Sequence, residues 1–309
     1  MDREDIKFTG ELGTTLRGWF YPAQNAAGPA PVIVMAHGIS GVKEMGLGEY
    51  AEVFAAGGLN VVVYDHQNFG ASDGTPRQEL DPVLQYRDYK NAISYAATRP
   101  DVDPDRVGIW GSSFSGGHVL TVAANDRRVK AVVSQVPFVS GPLSLARTVR
   151  PDFAAPLREQ LQADRLHRFA GGEPSVIPVV SDNPFGEAVM PMAEANAYYT
   201  ANASPEPSWR NELTVRSIEL VGEYDPSSHI SRVSPTPLLM IVARYDVTAP
   251  AELAFAAYEQ AREPKQILVT DGGHFSVYDG PRFEECSTAA RDHFRIHLGI
   301  GIGIGIGIG

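Results

Sequence analysis

The stretch Gly111-Ser112-Ser113-Phe114-Ser115-Gly116-Gly117 puts a serine at a point where a strand is expected to turn sharply into a helix. Val107, Ile109 and Trp110 suit a buried strand, and His118 to Ala124 continue with helical character. Such a turn holds the serine oxygen away from the backbone, and the N-terminus of the following helix faces developing negative charge. The pattern follows the nucleophile elbow G-x-S-x-G, except that Ser115 stands at the fifth position where glycine is usual. Ser113 is favoured over Ser115 as the nucleophile. Gly111 directly follows the strand, whereas Ser115 would already lie in the helix, where its side chain would cap or pack.

A serine hydroxyl is a poor nucleophile at neutral pH and needs an imidazole to take its proton and a carboxylate to orient that imidazole. In a doubly wound sheet the acid should follow a late strand and the histidine the last one. Asp246, in Ala243-Arg244-Tyr245-Asp246, and His274, in Asp271-Gly272-Gly273-His274, stand at those places in the order Ser, Asp, His. Asp271 is the alternative acid, but the Gly272-Gly273 turn would aim it elsewhere. Acyl transfer also develops charge on the former carbonyl oxygen, and each preset backbone N–H can stabilise it by about 3 kcal/mol. The candidate donors are Phe114, after the nucleophile, and Ile39, in His37-Gly38-Ile39. Gly38 permits close backbone approach, and His37 reads as a hydrogen-bonding brace. This chemistry calls for no cofactor and no metal.

Other reactive side chains fit bland roles better. Cys286, the single cysteine, reads as a half-buried helix residue and excludes a disulfide framework. Asp101, Asp103 and Asp105 lack the glycine and terminal glutamate of a calcium loop. His293 and His297 have zinc-like spacing on a helix, without the intervening glutamate or a third ligand. Asp225 reads as a helix-end or salt-bridge residue, and His118 as packed or capped.

The elements that must position these residues alternate between strand and helix. A hairpin of Ile6–Thr9 and Leu16–Tyr21 opens the chain. Strands are then expected at Val32–Ala36, Leu59–Tyr64, Val107–Trp110, Lys130–Val136, Pro237–Ala243 and Lys265–Thr270, with helices at Glu49–Ala56, Pro82–Thr98, Ala251–Ala261 and Arg282–His297. Residues 99–106 read as a turn. This alternation implies an α/β fold with a mostly parallel, doubly wound sheet. Residues 140–234 have a different texture, with helical pieces near Ala155–Phe169 and Val189–Asn202 and a marginal β run at Ser175–Val180. An unstructured loop of that size would be implausible, so they read as an inserted, mainly helical cap. The expected division is 1–139 and 235–298 for the core, 140–234 for the cap, and 299–309 for a Gly/Ile tail that reads as artefactual and outside the fold.

With 309 residues, 43% of them hydrophobic, the chain can bury a substantial core. A net charge of −11, with no basic run among aromatics, argues against nucleic acid as a partner. The charged N-terminus and the lack of any run near 18 apolar residues argue against a membrane and point to a reducing cytoplasm. A homo-oligomer stays open.

From residue 6 to residue 298 the chain resembles the α/β-hydrolase superfamily. Asp65-His66-Gln67-Asn68-Phe69-Gly70-Ala71-Ser72 is similar to that superfamily's D-x-R-G-x-G-x-S loop, departing at Gln67 and Asn68. Trp209 to Leu220, Tyr224-Asp225-Pro226 and Ser234 to Met240 resemble a narrower group of dienelactone-hydrolase-like and S15/S33-peptidase-like hydrolases and fungal polyketide acyltransferases and thiohydrolases. The resemblance implies Ser113 as nucleophile, Asp246 as acid, His274 as base, and Ile39 with Phe114 as oxyanion donors. The expected function is serine hydrolysis of a small neutral, moderately hydrophobic ester, thioester or lactone. An acyltransferase with an alcohol or amine acceptor, or a non-catalytic binder on the same fold, are the alternatives. Phe185, Met190, Met192, Tyr198, Tyr199 and Trp209, with His66 at the border, are the candidate pocket residues; an aromatic and methionine stripe of this kind more often simply packs a cap on its core. A strongly anionic substrate would need a local cation such as Arg216 or Arg244.

Overall fold

The computed structural model describes residues 2–203 and 209–301. Its elements run β1 (Glu4–Thr9), β2 (Thr15–Tyr21), β3 (Ala30–Ala36), α1 (Leu47–Ala56), β4 (Asn60–Tyr64), α2 (Pro82–Ala97), β5 (Val102–Ser112), α3 (Phe114–Asn125) and β6 (Val129–Gln135). An inserted region follows, with α4 (Gly141–Thr148), α5 (Ala154–Phe169), β7 (Val176–Ile177), α6 (Ala193–Asn202), β8 (Leu213–Thr214) and α7 (Val215–Gly222). The chain returns through β9 (Leu238–Ala243), α8 (Ala251–Gln260), β10 (Lys265–Thr270) and α9 (Gly280–His297).

The main sheet has the order β1-β2-β4-β3-β5-β6-β9-β10. β1 and β2 pair antiparallel, as does β2 with β4, and every pairing from β4 to β10 is parallel. The apolar run of β3 is buried throughout because helices cover both faces of the sheet. Its side chains alternate between them: Val32 and Val34 join Tyr89 and Ile93 of α2, Leu120 of α3 and Ala254 of α8, while Ile33 and Met35 join Phe54 of α1 and Phe294 of α9. A third apolar cluster holds the inserted region on the core, with Phe69, Phe114 and Met45 meeting Met190, Tyr199 and Trp209.

Several local features depart from the sequence expectation. Residues 102–106 continue β5 instead of forming part of a turn, because Asp101 accepts from Ala30 N and Asn60 Nδ2 and Val102 pairs with Ala30 ahead of a register shift. Helices α4 and α7 were not anticipated, and α6 begins at Ala193 rather than Val189. Met190 instead forms an isolated bridge with Val180, and the Val189 and Met190 amides donate to the Pro178 and Val179 carbonyls at 2.9 and 2.8 Å. Ile300 packs against the core, while residues 302–309 of the Gly/Ile tail lie outside the described residues. Among the described residues, no helix is long and apolar enough to cross a membrane.

Candidate active site

Ser113 stands between the last residue of β5 and the first of α3, with φ 60° and ψ −121°. A non-glycine residue there is strained by about 1–3 kcal/mol and persists only where the surroundings over-determine it. They do so here: Ser113 N donates to Gln135 O at 2.9 Å, and its own carbonyl accepts from Phe138 N at 2.9 Å. The turn is also too tight for a side chain at Gly111, where a Cβ would lie 2.1 Å from Ser115 O.

The hydroxyl of Ser113 lies 2.9 Å from His274 Nε2, and His274 Nδ1 lies 2.7 Å from Asp246 Oδ2. Donation from Nδ1–H to the carboxylate leaves Nε2 free to accept the serine proton. The other carboxylate oxygen, Oδ1, accepts from the amides of Thr248 and Ala249 at 2.9 and 2.8 Å, so the acid is fixed by its own loop. All three side chains are buried, with Ser113 the most accessible at 9%. Asp271 does not meet the histidine; it is exposed and pairs with Arg244.

Ser115 is fully buried. Its hydroxyl donates to the His37 carbonyl at 2.5 Å and lies 3.0 Å from His66 Nε2. His66 N donates in turn to His37 Nε2 at 3.1 Å, which puts the His37 proton on Nδ1, where it donates to Gly38 O at 2.9 Å. The loop from His37 to Gly41 is thereby fixed against the elbow. Gly38 passes so close that a Cβ would fall 2.9 Å from Ser113 Cβ. The Phe114 amide opens α3 and, as the first of that helix, has no carbonyl one turn behind it to bond.

His37, His66 and His118 form a buried cluster beneath this loop, with ring centroids 4.8 Å apart for the first pair and 5.5 Å for the second. His118 is held between Tyr224 OH and Gln85 Oε1, both at 2.9 Å. Burial depresses the basicity of all three below the ordinary histidine value: His37 moderately, His66 far, and His118 down to about 3. Burial likewise pushes the Cys286 thiol up to about 12, and this cysteine is fully buried rather than half-buried. Among the described residues no cluster of His, Cys, Asp or Glu could hold a metal; His293 and His297 face each other at 4.6 Å between ring centroids with no third ligand.

The cavity over Ser113 is narrow, about 20 Å³, room for a single water, and is walled by Gly38, Met45, Met190, Tyr198 and Phe275. A wider apolar chamber of about 400 Å³ lies in the inserted region, lined by Leu145, Phe153, Leu157, Met192 and Ile218, and the segment 189–192 borders both cavities, Met190 lining the first and Val189, Pro191 and Met192 the second. Met190 and Tyr198 thus line the cavity over Ser113. His66 is buried in the histidine cluster, Trp209 packs against Tyr199 with ring centroids at 5.4 Å, and Phe185 is 72% exposed beside Arg150. Arg216 is paired with Glu79 and Arg244 with Asp271. The Tyr199 hydroxyl reaches the Ile39 carbonyl, a role that neither a pocket-lining nor a cap-packing aromatic implies; no local pattern signals a bond across 160 residues of chain.

Comparison with known proteins agrees with this geometry. The model of the X-Pro dipeptidyl-peptidase (S15) family matches residues 18–276. The chain is 37% identical over 286 residues to the quorum-quenching protein AidA of Acinetobacter baumannii, covering 92% of this chain and 89% of that one. It is 32% identical over 292 residues to the thiohydrolase aneE of Aspergillus aculeatus, covering 91% and 89%. The crystal structure of the α/β hydrolase GrgF from Penicillium superposes with a TM-score of 0.84 at 27% identity, covering 97% of this chain and all of that one. With the family match spanning most of the chain, and with an α/β-hydrolase sheet carrying a Ser113-His274-Asp246 network, the protein belongs to the S15 family and is a serine hydrolase.

Proposed function

We propose that Ser113 is the nucleophile, His274 the general base and acid, Asp246 the orienting carboxylate, and the Ile39 and Phe114 amides the oxyanion donors, in hydrolysis of a neutral, moderately hydrophobic ester, thioester or lactone. The observation that carries this reading is the unbroken chain of contacts from Ser113 Oγ through His274 to Asp246 Oδ2, at 2.9 and 2.7 Å. Ser113 Oγ attacks the acyl carbon while its proton moves to His274 Nε2, and charge builds on the carbonyl oxygen. Collapse breaks the bond to the leaving group, which takes the proton from Nε2. Water then attacks the acyl-serine, giving one proton to His274, and the released acid leaves Ser113 reprotonated.

Residues 140–234 act as the cap over a core of 1–139 and 235–298, and the apolar chamber behind Met190 and Met192 supports a hydrophobic acyl group. Acyl transfer is the second reading, favoured by a relative whose name is polyketide transferase grgF, 29% identical to this chain. The test is fluorophosphonate labelling with peptide mapping, followed by a panel of p-nitrophenyl esters of rising chain length with and without alcohol or amine acceptors. Labelling at Ser113 with hydrolysis of medium-chain esters is expected. No labelling there overturns the assignment, and product diverted to the acceptor in preference to water selects acyl transfer.

A further inference from the structure

Helix α6 of the inserted region reaches three of the four segments that carry the proposed catalytic groups, all but the elbow itself. Tyr199 OH donates to the Ile39 carbonyl at 2.5 Å. Tyr198 OH donates to Met45 O at 3.1 Å, and its ring stacks on Phe275, next to His274, at 4.7 Å between centroids. Glu194 Oε1 accepts from Thr248 Oγ1 at 3.1 Å, and the Thr248 amide is one of the two that hold Asp246. A Cβ on Gly273, immediately before His274, would fall 2.5 Å from Glu194 Oε2.

The bond from Tyr199 has a particular consequence for the peptide unit that carries the Ile39 amide. That unit also contains the Gly38 carbonyl, which accepts from His37 Nδ1 and from Gly41 N. The carbonyl before it, of His37, is held by Ser115, and the carbonyl after it, of Ile39, is held by Tyr199. Glycine is the freest residue in the chain to rotate, so anchors on both neighbouring peptides add to the bonds on the Gly38 carbonyl in fixing the direction of a donor that follows Gly38. Ser115 supplies the anchor from the elbow helix, and Tyr199 supplies the other from the cap.

We propose that Tyr199 is a positioning residue: docking of α6 sets the direction of the Ile39 amide, so that the oxyanion hole is complete only when the cap is seated. This rests on the reading of Ile39 as an oxyanion donor given above. Tyr199→Phe keeps the buried ring and its packing on Trp209 and removes only the hydroxyl. In the full-length enzyme, with kcat normalised to the fraction of Ser113 labelled at completion by a fluorophosphonate, kcat on a p-nitrophenyl ester is expected to fall by about 10-fold or more with KM within about 3-fold. Affinity for a trifluoromethyl ketone of the same acyl chain, whose hemiketal oxyanion occupies the hole, should fall by a similar factor. Thr200→Ala, on the exposed face of the same helix, should leave both unchanged. Wild-type kcat and ketone affinity in Tyr199→Phe, or a loss confined to KM, overturns the proposal while leaving the hydrolase reading intact. If the wild-type enzyme neither labels nor turns over any ester, that reading falls and this proposal falls with it.

Discussion

The Ser115 hydroxyl donates to the carbonyl of His37 at 2.5 Å, joining the elbow helix to the loop after β3 across 78 residues of sequence. The serine at the fifth motif position is thus fully buried and spent on bracing the elbow against that loop. Ser113→Ala is expected to lower turnover on a responsive ester by about 10⁴-fold or more, whereas Ser115→Ala, which strands a buried carbonyl, should cost only about 10-fold in kcat and about 1–3 kcal/mol of stability. Kinetics and urea unfolding of the pair check this. A loss of the larger size at Ser115 alone would exchange their roles.

Asp246 holds His274 in the tautomer that can accept the serine proton. Asp246→Asn keeps the shape of the acid and presents a donor or a neutral oxygen to His274 Nδ1, so kcat should drop by about 10⁴-fold with the melting temperature little changed. Activity within tenfold of wild type would show that another group orients the histidine.

Gly38 faces Ser113 closely enough that one methyl group would meet its Cβ at 2.9 Å. Gly38→Ala should push the loop away from the elbow and remove alignment of the Ile39 amide, reducing kcat by roughly 10²–10³-fold, the scale of one lost oxyanion donor. Steady-state kinetics on a single ester suffices, and unaltered kcat would place the donor elsewhere.

Stability should fall as the solution is acidified. Below about pH 6.5 the unfolded chain takes up protons on His37, His66 and His118 that the folded chain does not, and each then lowers stability by up to about 1.4 kcal/mol per pH unit, for His118 until about pH 3 is reached. Asp88 opposes them. Burial lifts its carboxyl to about 7 from an ordinary 3.8, so within that window the folded chain holds the extra proton and stability falls as pH rises. Glu79, also raised by burial, acts with Asp88, while His293, lowered by burial to about 4, and the partly buried His229 and His297 act with the cluster. The histidines outweigh the two acids, and the urea midpoint should be lower at pH 4.5 than at pH 6.5. His118→Gln removes one titrating group and should flatten that slope. A midpoint that rises on acidification would contradict the neutral, buried assignment of the cluster.

The sheet was legible in the sequence because its strands are unbroken apolar runs, such as Val32–Ala36 and Leu238–Ala243, closed by glycine, proline or acidic turns. The order of Ser113, Asp246 and His274 was legible for the same reason, since each falls just past a strand end. Short helices such as α4, which begins with Gly141-Pro142, carry too few turns for their periodicity to stand out. His66 shows a further limit. Its loop composition suggests a pocket border, but partners from the loop after β3, α2 and α3 enclose its ring, and such enclosure is a property of the assembled fold. The bonds from Ser115 and Tyr199 into the loop after β3 are equally non-local.

The backbone of Ser113, held at φ 60° and ψ −121°, ties catalysis to the completeness of the fold. Its amide is fixed by β6, its carbonyl by the segment that leaves β6, and its hydroxyl by a histidine that follows the last strand. Loss of either backbone anchor, at Gln135 or at Phe138, would let the serine relax toward an ordinary conformation. Turnover after denaturation is therefore expected to return only once β6 and the segment that leaves it are in place.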